Sequence, residues 1–300
     1  MDYAIHVAIL VGIYFLAAVG LNLVSGYAGL VSLAQASFFG IGAYSFAVFT
    51  QRFEIPFAIS ITLSMSTAAF LASILSLLCS KQSQDILIMT TFAFQSVMSN
   101  IMLNWDRVTN GAVGISGIPG PHLLGYDFTS GLGFLVLLLA FASLGILLKY
   151  RLVSSPFGMI ALAIREDETL TTATGRNVAA KKAVIFGIGA AYGALAGSLY
   201  ASYITFIDPS TFTVTESVFI LAIVILGGAG KLWGPLIGAA VMVTFPEMLR
   251  LTGIPGHLVG NLRQIMLGAV IVFLMLTRPQ GLIGDFVFGG ASKRGKSVDR

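Results

Sequence analysis

Few residues of this sequence have the type and spacing that chemistry requires. The three histidines, His6, His122 and His257, lie far apart and show no metal-ligand spacing. The single cysteine, Cys79, ends an apolar run and supports neither a disulfide framework nor a metal site. We therefore expect no catalytic residue, no metal site and no cofactor held by this chain.

One glycine-rich segment superficially resembles a phosphate-binding loop. Residues 225–232 contain a Gly-Lys pair at 230–231, but Ile225 stands where the first glycine of the motif belongs. Leu232 replaces the Ser or Thr whose hydroxyl would bind magnesium. The segment indicates no nucleotide-binding domain, so if the protein uses ATP, the ATPase must be another chain.

The composition places this chain in a membrane. Hydrophobic residues make up 56% and charged residues 10% of the 300 residues, and the mean hydropathy is +0.91. Soluble domains usually carry about 25% charged residues. The net charge of +4 does not indicate a nucleic-acid partner, because the basic residues stand at the ends of apolar runs.

The apolar runs are long enough to cross a bilayer as helices. Strands are not expected, because the runs are continuous and an open sheet would leave backbone groups unpaired in lipid. We predict an all-α polytopic membrane protein with about eight to ten transmembrane helices, as a single domain over residues 1–300. The first helix is retained, since no basic n-region precedes it. The predicted spans are 3–24, 26–50, 55–79, 86–103, 131–148, 183–206, 216–230, 235–249 and 259–277.

The Lys and Arg residues orient these spans. Segment 149–182 holds six of the 17 Lys and Arg residues, and the tail, residues 278–300, holds five more. The positive-inside rule places both in the cytoplasm. Counting nine crossings then puts the N-terminus outside, although one miscounted helix would reverse it. The spans at 216–230 and 235–249 are either two tilted spans or one re-entrant hairpin. We prefer two spans, because they leave Lys231 at the cytoplasmic surface.

Uncharged polar side chains lie inside the predicted spans. In lipid such groups usually face the bundle interior. They either line a path for a neutral or zwitterionic solute or form hydrogen bonds between helices. The lack of buried acids and arginines argues against a proton-coupled carrier. The side chains are Asn22, Ser25, Ser32, Gln35, Gln95 and Asn100.

Glycines mark three further features. Gly189, Gly193 and Gly197 recur at every fourth residue and form a flat stripe for close packing, within the bundle or against a partner chain. Gly-interrupted segments at 26–29 and 227–230 either flank a transport path or are ordinary helix packing. The Gly- and Pro-rich outer residues 109–121 cannot form a regular helix, and are a connecting loop or part of an entrance.

Segment 149–182 also carries the signals of two short helices. Ser155 before Pro156 marks a helix start, and apolar residues then recur on one helical face up to Ile164. Acidic residues 166–168 favour the start of a second helix, which Gly175 would end. The segment is either a solvated turn with basic anchors or a docking element for a partner.

Four blocks of sequence, in order along nearly the whole chain, resemble the permease subunits of branched-chain amino-acid ABC importers, of the M type (LivM-like). The first block, residues 20–44, reads GLNLVSGYAGLVSLAQASFFGIGAY. The second is the loop 109–119, and the third runs from SPFG at 155–158 through AIREDE at 163–168 to 178. The fourth comprises VILGGAG at 224–230, GP at 234–235, PE at 246–247 and RPQGL at 278–282.

The resemblance implies a heterodimer with a second, H-type permease in a bacterial cytoplasmic (inner) membrane. It also implies two cytoplasmic ATPase subunits that carry ATP and Mg, and a periplasmic binding protein that delivers leucine, isoleucine, valine or a related solute. The third block resembles a segment that docks on an ATPase, through Phe157, Gly158, Arg165, Glu166, Asp167 and Glu168. The first block resembles a broken helix near the translocation path, with Asn22, Ser25, Gly26, Gly29, Ser32 and Gln35 along it.

The sequence departs from the family pattern at a few positions. Met159 and Leu162 are apolar where relatives often carry basic residues, and Gln35 stands where histidine is common. Relatives that handle urea or short amides share these motifs, so such solutes are an alternative substrate. A stand-alone carrier or channel and a membrane scaffold are the alternatives from other classes. The remaining basic residues of segment 149–182 are expected only to set topology: Lys149, Arg151, Lys181 and Lys182.

Overall fold

Continuous apolar runs satisfy their backbone hydrogen bonds in lipid only as helices or closed barrels, and this chain forms helices. The computed structural model describes residues 2–251 except 81, 83, 124 and 125, together with 262, 264, 265, 268, 269 and 272. Most of the predicted span 259–277 and the whole tail 278–300 lie outside the described residues.

The α-helices follow one another with short connections. They are α1 (Asp2–Leu21), α2 (Gln35–Gln51), α3 (Phe57–Leu78), α4 (Gln84–Asn104), α5 (Asp106–Thr109), α6 (Gly131–Val153), α7 (Pro156–Glu166), α8 (Glu168–Ala173), α9 (Val178–Ile204), α10 (Val214–Gly227) and α11 (Gly234–Leu251). A π-helix, Asn22–Tyr27, continues α1, and 3₁₀ turns form at Gly111–Val113 and Pro209–Phe212. This confirms the all-α polytopic prediction.

Five helices in the described part of the chain are long and apolar enough to cross a membrane: Tyr3–Tyr27, Phe57–Leu78, Gln84–Asn104, Gly131–Val153 and Val178–Ile204. The helices α10 and α11 are also apolar but shorter. The 14 residues of α10 extend about 21 Å at 1.5 Å per residue. This is less than a hydrocarbon core of about 30 Å, so α10 by itself covers only part of the membrane depth.

The predicted helix over 26–50 is wrong in its first third. The structure has irregular backbone at residues 28–34, with Gly29 at φ +70°, and α2 begins only at Gln35. Irregular backbone is tolerated at membrane depth only where protein surrounds it, and most of these residues are buried. Hydropathy cannot detect the interruption, because the residues within it are as apolar as the helices on either side.

Hydrogen bonds between distant residues identify the two ends of the helix bundle. At the α7 end, the Gln84 amide donates to Gly29 O (2.9 Å) and Arg165 donates to Gly26 O. At the opposite end, the Tyr3 hydroxyl donates to the Glu247 carboxylate (2.8 Å). Four two-residue strands also form in the connections. They are β1 (Ile115–Ser116), β2 (His122–Leu123), β3 (Tyr126–Asp127) and β4 (Phe206–Ile207), and they pair antiparallel as β1 with β4 and β2 with β3. The expectation of no strands therefore fails for these connections.

The core lies around α9, which packs against α1, α2 and α3. By contrast, α3, α4 and α6 each expose large apolar side chains on one face, such as Phe70, Met89 and Leu139. A helix that exposes such a face needs lipid or another protein around it. The arrangement therefore fits a chain that is surrounded by membrane or by partner subunits.

Candidate functional site

The charged segment 149–182 folds into the two short helices that its sequence predicts. Pro156 occupies the first turn of α7. Proline suits that position, because its φ is fixed near the helical value and its missing N–H would have no partner there. The extended residue Asp167 separates α7 from α8, and its carboxylate accepts a hydrogen bond from Leu170 N (2.9 Å), which caps α8. Gly175 follows α8 with φ +78°, a backbone conformation that favours glycine.

Two of the residues expected to contact an ATPase pack inward. A Cβ at Gly158 would lie 2.1 Å from Val153 O, so this glycine lets α7 fold back against the end of α6. Phe157 is half-buried, and the Lys181 ammonium lies 5.3 Å from its ring centroid, within cation–π range. Both residues hold α7 against the bundle.

The three acidic residues at the corner between α7 and α8 lie on the surface. Glu166, Asp167 and Glu168 are exposed, and the Glu168 carboxylate pairs with the Lys182 ammonium at 2.6 Å. Lys182 is itself buried in α9, so the pair ties α8 to the bundle. The expectation that Lys182 only sets topology is wrong, because its ammonium is used within the fold.

Arg165 extends from α7 toward the end of the first helix. Its Nη1 donates a hydrogen bond to Gly26 O at 2.6 Å, in the π-helical turn that ends this helix. Burial lowers the pKa of the Arg165 guanidinium from its ordinary value, while Glu166 and Tyr27 act in the opposite direction. The guanidinium remains charged, since arginine is not deprotonated in proteins.

Glycines make room for this arginine on two other segments. Gly29 has φ +70°, and a Cβ there would lie 2.9 Å from Arg165 Cγ. Gly230 has φ +81°, and a Cβ there would lie 3.1 Å from Arg165 Nη1. The two Gly-interrupted segments of the sequence, 26–29 and 227–230, therefore meet at one side chain.

Asn22 joins the same two segments. Its Nδ2 donates to Lys231 O (2.8 Å), and its Oδ1 accepts from Gly230 N (2.7 Å). Gly26 lies against Gly230, because a Cβ on Gly26 would be 2.3 Å from Gly230 N. The side chain of Asn22 is fully buried, and its amide satisfies backbone groups of the irregular loop that joins α10 to α11.

Lys149 is also part of this cluster. Its side chain is fully buried, its Nζ lies 3.4 Å from both Lys231 O and Leu232 O, and the ammonium is 5.5 Å from the Tyr27 ring centroid. A solvated basic residue that only sets topology would lie in water. The expectation for Lys149 is therefore wrong, because the loop between α10 and α11 covers it.

The other residues predicted to lie along the path are also buried or half-buried. Ser25 Oγ donates to Leu21 O one turn earlier (2.8 Å), and Ser32 Oγ accepts from Ala34 N (3.3 Å). Gln35 Nε2 donates to Ala17 O (3.0 Å) and Gly189 O (3.3 Å), and so bridges α1 and α9 at the start of α2. In this chain these groups form hydrogen bonds within and between helices.

Gln95, one of the polar residues inside the spans, is the centre of a second buried cluster. Its Oε1 accepts from Ser37 N (2.7 Å), Ser37 Oγ (2.8 Å) and Ser217 Oγ (3.0 Å), while its Nε2 donates to Phe212 O (2.9 Å). Ser217 Oγ in turn accepts from Ala36 N (2.8 Å). One glutamine thus joins the starts of α2 and α10, and the turn before α10, to α4. Asn100, on the same helix, is instead exposed.

The glycine stripe of α9 faces α1 and α2 of the same chain. A Cβ at Gly189 would lie 2.5 Å from Val24 Cγ2, and one at Gly193 would lie 2.9 Å from the Gln35 amide nitrogen. A Cβ at Gly197 would lie 1.9 Å from Phe39 O. The stripe lets the backbones approach within the bundle, so these glycines are not available to a partner chain.

Two buried carboxylates were not predicted from the sequence. Glu216 in the first turn of α10 accepts a 2.5 Å hydrogen bond from the Tyr14 hydroxyl, and Glu247 in α11 accepts from Tyr3. Both side chains are 8% exposed. The expectation that buried acids are lacking, which spoke against a proton-coupled carrier, is therefore wrong. Both residues stand at the edges of the predicted spans, where hydropathy gives no signal of burial. Within the described residues, no group of three His, Cys, Asp or Glu could hold a metal ion.

The outer surface of α7 and α8 forms a groove. Its lining is mainly apolar and includes Met159 and Leu170, and Glu166 and Arg176 also line it. Met159 is 63% exposed and Leu170 is 66% exposed, although both lie in a charged segment outside the long apolar helices. The helical spacing of the sequence could have indicated that Met159 is exposed, since it lies on the face of α7 opposite to the buried residues Ala161 and Ile164.

Comparison with known proteins relates this geometry to a family. The family model described as "Branched-chain amino acid transport system / permease component" matches residues 3–275. Over 93% of its length the chain is 30% identical to the high-affinity branched-chain amino acid transport system permease protein LivM of Salmonella typhimurium, of which it covers 70%. It is 31% identical, again over 93% of its length, to the protein of the same name from Escherichia coli K12, of which it covers 69%.

More distant relatives match as well. A probable branched-chain amino acid transport permease protein LivM of Methanocaldococcus jannaschii is 27% identical over 91% of each chain. The autoinducer 2 import system permease protein LsrC of Escherichia coli is 30% identical over 62% of this chain and 54% of its own length. No solved structure matches the chain significantly. The family model and the LivM relatives both extend over nearly the whole chain, and the chain belongs to the branched-chain amino acid transport permease family, as a multi-pass membrane permease component.

Proposed function

We propose that this chain is one of the two permease subunits of an ATP-driven importer for branched-chain amino acids in a bacterial cytoplasmic membrane. The observation that carries the proposal is the groove between α7 and α8, which exposes Met159 and Leu170 on a segment outside the long apolar helices. Apolar side chains exposed in this way outside lipid favour a protein partner. In an ATP-driven importer that partner is an ATPase subunit, which binds ATP and Mg and performs the hydrolysis.

The structure changes the set of residues proposed to contact the ATPase. Glu166, Asp167 and Glu168 remain in the set because they are exposed at the corner between α7 and α8. Met159 and Leu170 join them as the apolar part of the surface. Phe157, Gly158 and Arg165 hold α7 onto the bundle instead, and affect docking only through its position.

The proposed transport cycle is alternating access. The two interrupted segments are the elements that change shape, because the irregular backbone at residues 28–34 and 228–233 has fewer hydrogen bonds to break than a helix. The residues predicted along the path stabilise the ends of these segments: Asn22, Ser25, Gly26, Gly29, Ser32 and Gln35. The second, H-type permease covers part of the exposed apolar faces of α3, α4 and α6, and a periplasmic binding protein delivers the solute at the opposite end.

The α7 end is proposed to lie in the cytoplasm, together with the C-terminal tail. Basic residues on the short connections support this orientation, since Arg151 and Arg176 are both exposed at this end. The opposite end carries Arg52 and Arg107, against the six Lys and Arg residues of segment 149–182 at the α7 end. Because Tyr3 lies at the opposite end, the proposed orientation has the N-terminus outside.

The proposed solutes are leucine, isoleucine and valine, because the LivM relatives are named for branched-chain amino acids. The match to LsrC, named for autoinducer 2 import, indicates that related permeases serve other solutes. Radiolabelled uptake in cells with and without this chain tests the substrate. Loss of leucine, isoleucine and valine uptake supports the proposal, whereas selective loss of urea or acetamide uptake contradicts it.

Docking on the ATPase is tested with Leu170→Asp, which places a carboxylate in the apolar groove. We expect the variant to insert into the membrane at wild-type level, to lose co-purification of the ATPase subunits, and to lose uptake. The physical reason is that burying an unpaired charge costs several kcal/mol.

The matched control is Leu132→Asp, because Leu132 is 65% exposed in the first turn of α6, at the opposite end. An acid there is favourable for the helix N-terminus, so co-purification and uptake should persist. A wild-type chain that purifies without ATPase subunits and still transports would instead favour a stand-alone carrier. A chain with neither property would favour a scaffold.

A further inference from the structure

Arg165 lies between the surface proposed for ATPase docking and the interrupted first helix. The next residue, Glu166, is exposed on the outer face of α7, whereas Arg165 extends inward and donates to Gly26 O at 2.6 Å. A short bond between a charged donor and a backbone carbonyl is among the stronger hydrogen bonds in proteins. Arg165 therefore links α7 directly to the turn at which the first helix ends.

The chain builds a specific place for this side chain. The last carbonyls of a helix lack partners within the helix, and its C-terminal end carries partial negative charge. The Arg165 guanidinium donates a hydrogen bond to one of these carbonyls, Gly26 O, and its positive charge lies at the negative end of the helix. Glycine at 29 and at 230 leaves the space that the arginine fills, since a Cβ at either position would lie within 3.1 Å of it.

The contact continues from Gly26 to the second interrupted segment. Gly26 packs on Gly230, and Asn22 bonds both Gly230 N and Lys231 O. A displacement of α7 that pulls on Arg165 therefore acts on the end of the first helix and, through it, on the loop between α10 and α11. No other residue of α7 has a recorded hydrogen bond to either segment in the described part of the chain.

We propose that Arg165 is a positioning residue that transmits movement of α7 to both interrupted segments, and so couples ATP hydrolysis to solute movement. This inference rests on the proposed function, in which α7 moves with an ATPase partner. It replaces the sequence-based role of Arg165 as a direct ATPase contact. The role predicts a defect in coupling without a defect in docking.

The test uses the complete transporter, with its partner subunits and binding protein, reconstituted in vesicles. Uptake of labelled leucine and ATP hydrolysis are measured in the same preparation for the wild type, Arg165→Met, Arg165→Lys and the control Arg151→Met. Arg151 is an exposed basic residue at the end of α6, so the control removes the same charge from the same end.

We expect Arg165→Met to retain the ATPase subunits and to lower uptake per ATP hydrolysed by about tenfold or more, the factor expected for loss of one hydrogen bond from a charged donor. Arg165→Lys should restore part of this ratio, because its ammonium keeps the charge but has a shorter reach. Arg151→Met should match the wild type.

An unchanged ratio of uptake to ATP hydrolysis in an assembled Arg165→Met transporter overturns the inference. Loss of the ATPase subunits from that variant, with a wild-type ratio in Arg165→Lys, overturns it too, because Arg165 would then act in docking. If Arg165→Met does not assemble, a ratio several-fold below the wild type in Arg165→Lys supports the inference. Failure of the wild type itself to transport leucine or to hold ATPase subunits counts against the proposed function.

Discussion

Gly197 marks a very close approach of α9 to α2, and replacing it with alanine should destabilise the chain. The added Cβ would lie 1.9 Å from Phe39 O, 2.9 Å from Phe39 C and 3.0 Å from Ala43 N. All three are backbone atoms of α2, so no side-chain rotation can relieve the contact. Ordinary contact begins at 3.4 Å, so the two backbones would have to separate by 1.5 Å (3.4 − 1.9).

The size of the effect follows from two opposing contributions. Overpacking a close-packed interior costs about 1–3 kcal/mol, and a shift this large belongs at the upper limit. Alanine regains about 1 kcal/mol over glycine in a helix interior. The net loss in the free energy of unfolding is therefore about 2 kcal/mol, which lowers the melting temperature by roughly 3 °C for a chain of this size.

The measurement is thermal unfolding of the purified chain in detergent, with tryptophan fluorescence or retention of a fused fluorescent protein as the readout. Gly131→Ala is the matched control, because its Cβ would meet only Ile5 Cγ2, at an ordinary 3.5 Å. This control should melt at or slightly above the wild-type temperature. If Gly197→Ala also melts at the wild-type temperature, the close-packing interpretation of the α9 stripe is refuted.

Two further substitutions test the polar contacts. Gln95→Leu leaves the buried Ser37 N without its partner, which should cost about 1–3 kcal/mol, whereas Phe212 O keeps its hydrogen bond from Ser99 Oγ (2.8 Å). The same melting assay should show a clear loss, while Asn100→Leu on the exposed face of the same helix should show little. Equal melting of the two variants would count against the cluster. Asp167→Ala removes the cap of α8 at a cost of about 1 kcal/mol. Limited proteolysis should therefore cut residues 168–175 faster than in the wild type or in the control Glu166→Ala, and unchanged cleavage would contradict the capping role.

Residues that act on their immediate neighbours in the chain predicted the short helices correctly. Pro156, Asp167 and Gly175 act through φ preferences and hydrogen bonds to neighbouring residues, and the structure forms α7 and α8 between them. Continuous apolar runs likewise predicted the long helices, because a bilayer leaves the backbone few other ways to pair its hydrogen bonds. The exact start of α2 escaped this reasoning, since residues 28–34 are apolar and yet not helical.

The direction in which each side chain extends was not predictable in the same way. Arg165 and Glu166 are adjacent and both charged, but one is turned inward to Gly26 O and the other is exposed. Lys149 looked like a topology signal and is buried under the loop between α10 and α11. The inward direction of Arg165 and of Lys149 depends in each case on a backbone carbonyl more than 80 residues away in the sequence.

By itself, the sequence determined that this protein is a helical membrane permease of a recognisable family, because hydropathy, capping residues and ordered motifs act over short stretches of chain. The tertiary structure decided which residues face each other. It joined two Gly-interrupted segments, separated by some 200 positions, around Arg165 and Asn22. It also turned the glycine stripe of α9 toward α1 and α2. Such contacts depend on how whole helices pack, and no local pattern in the sequence specifies that packing.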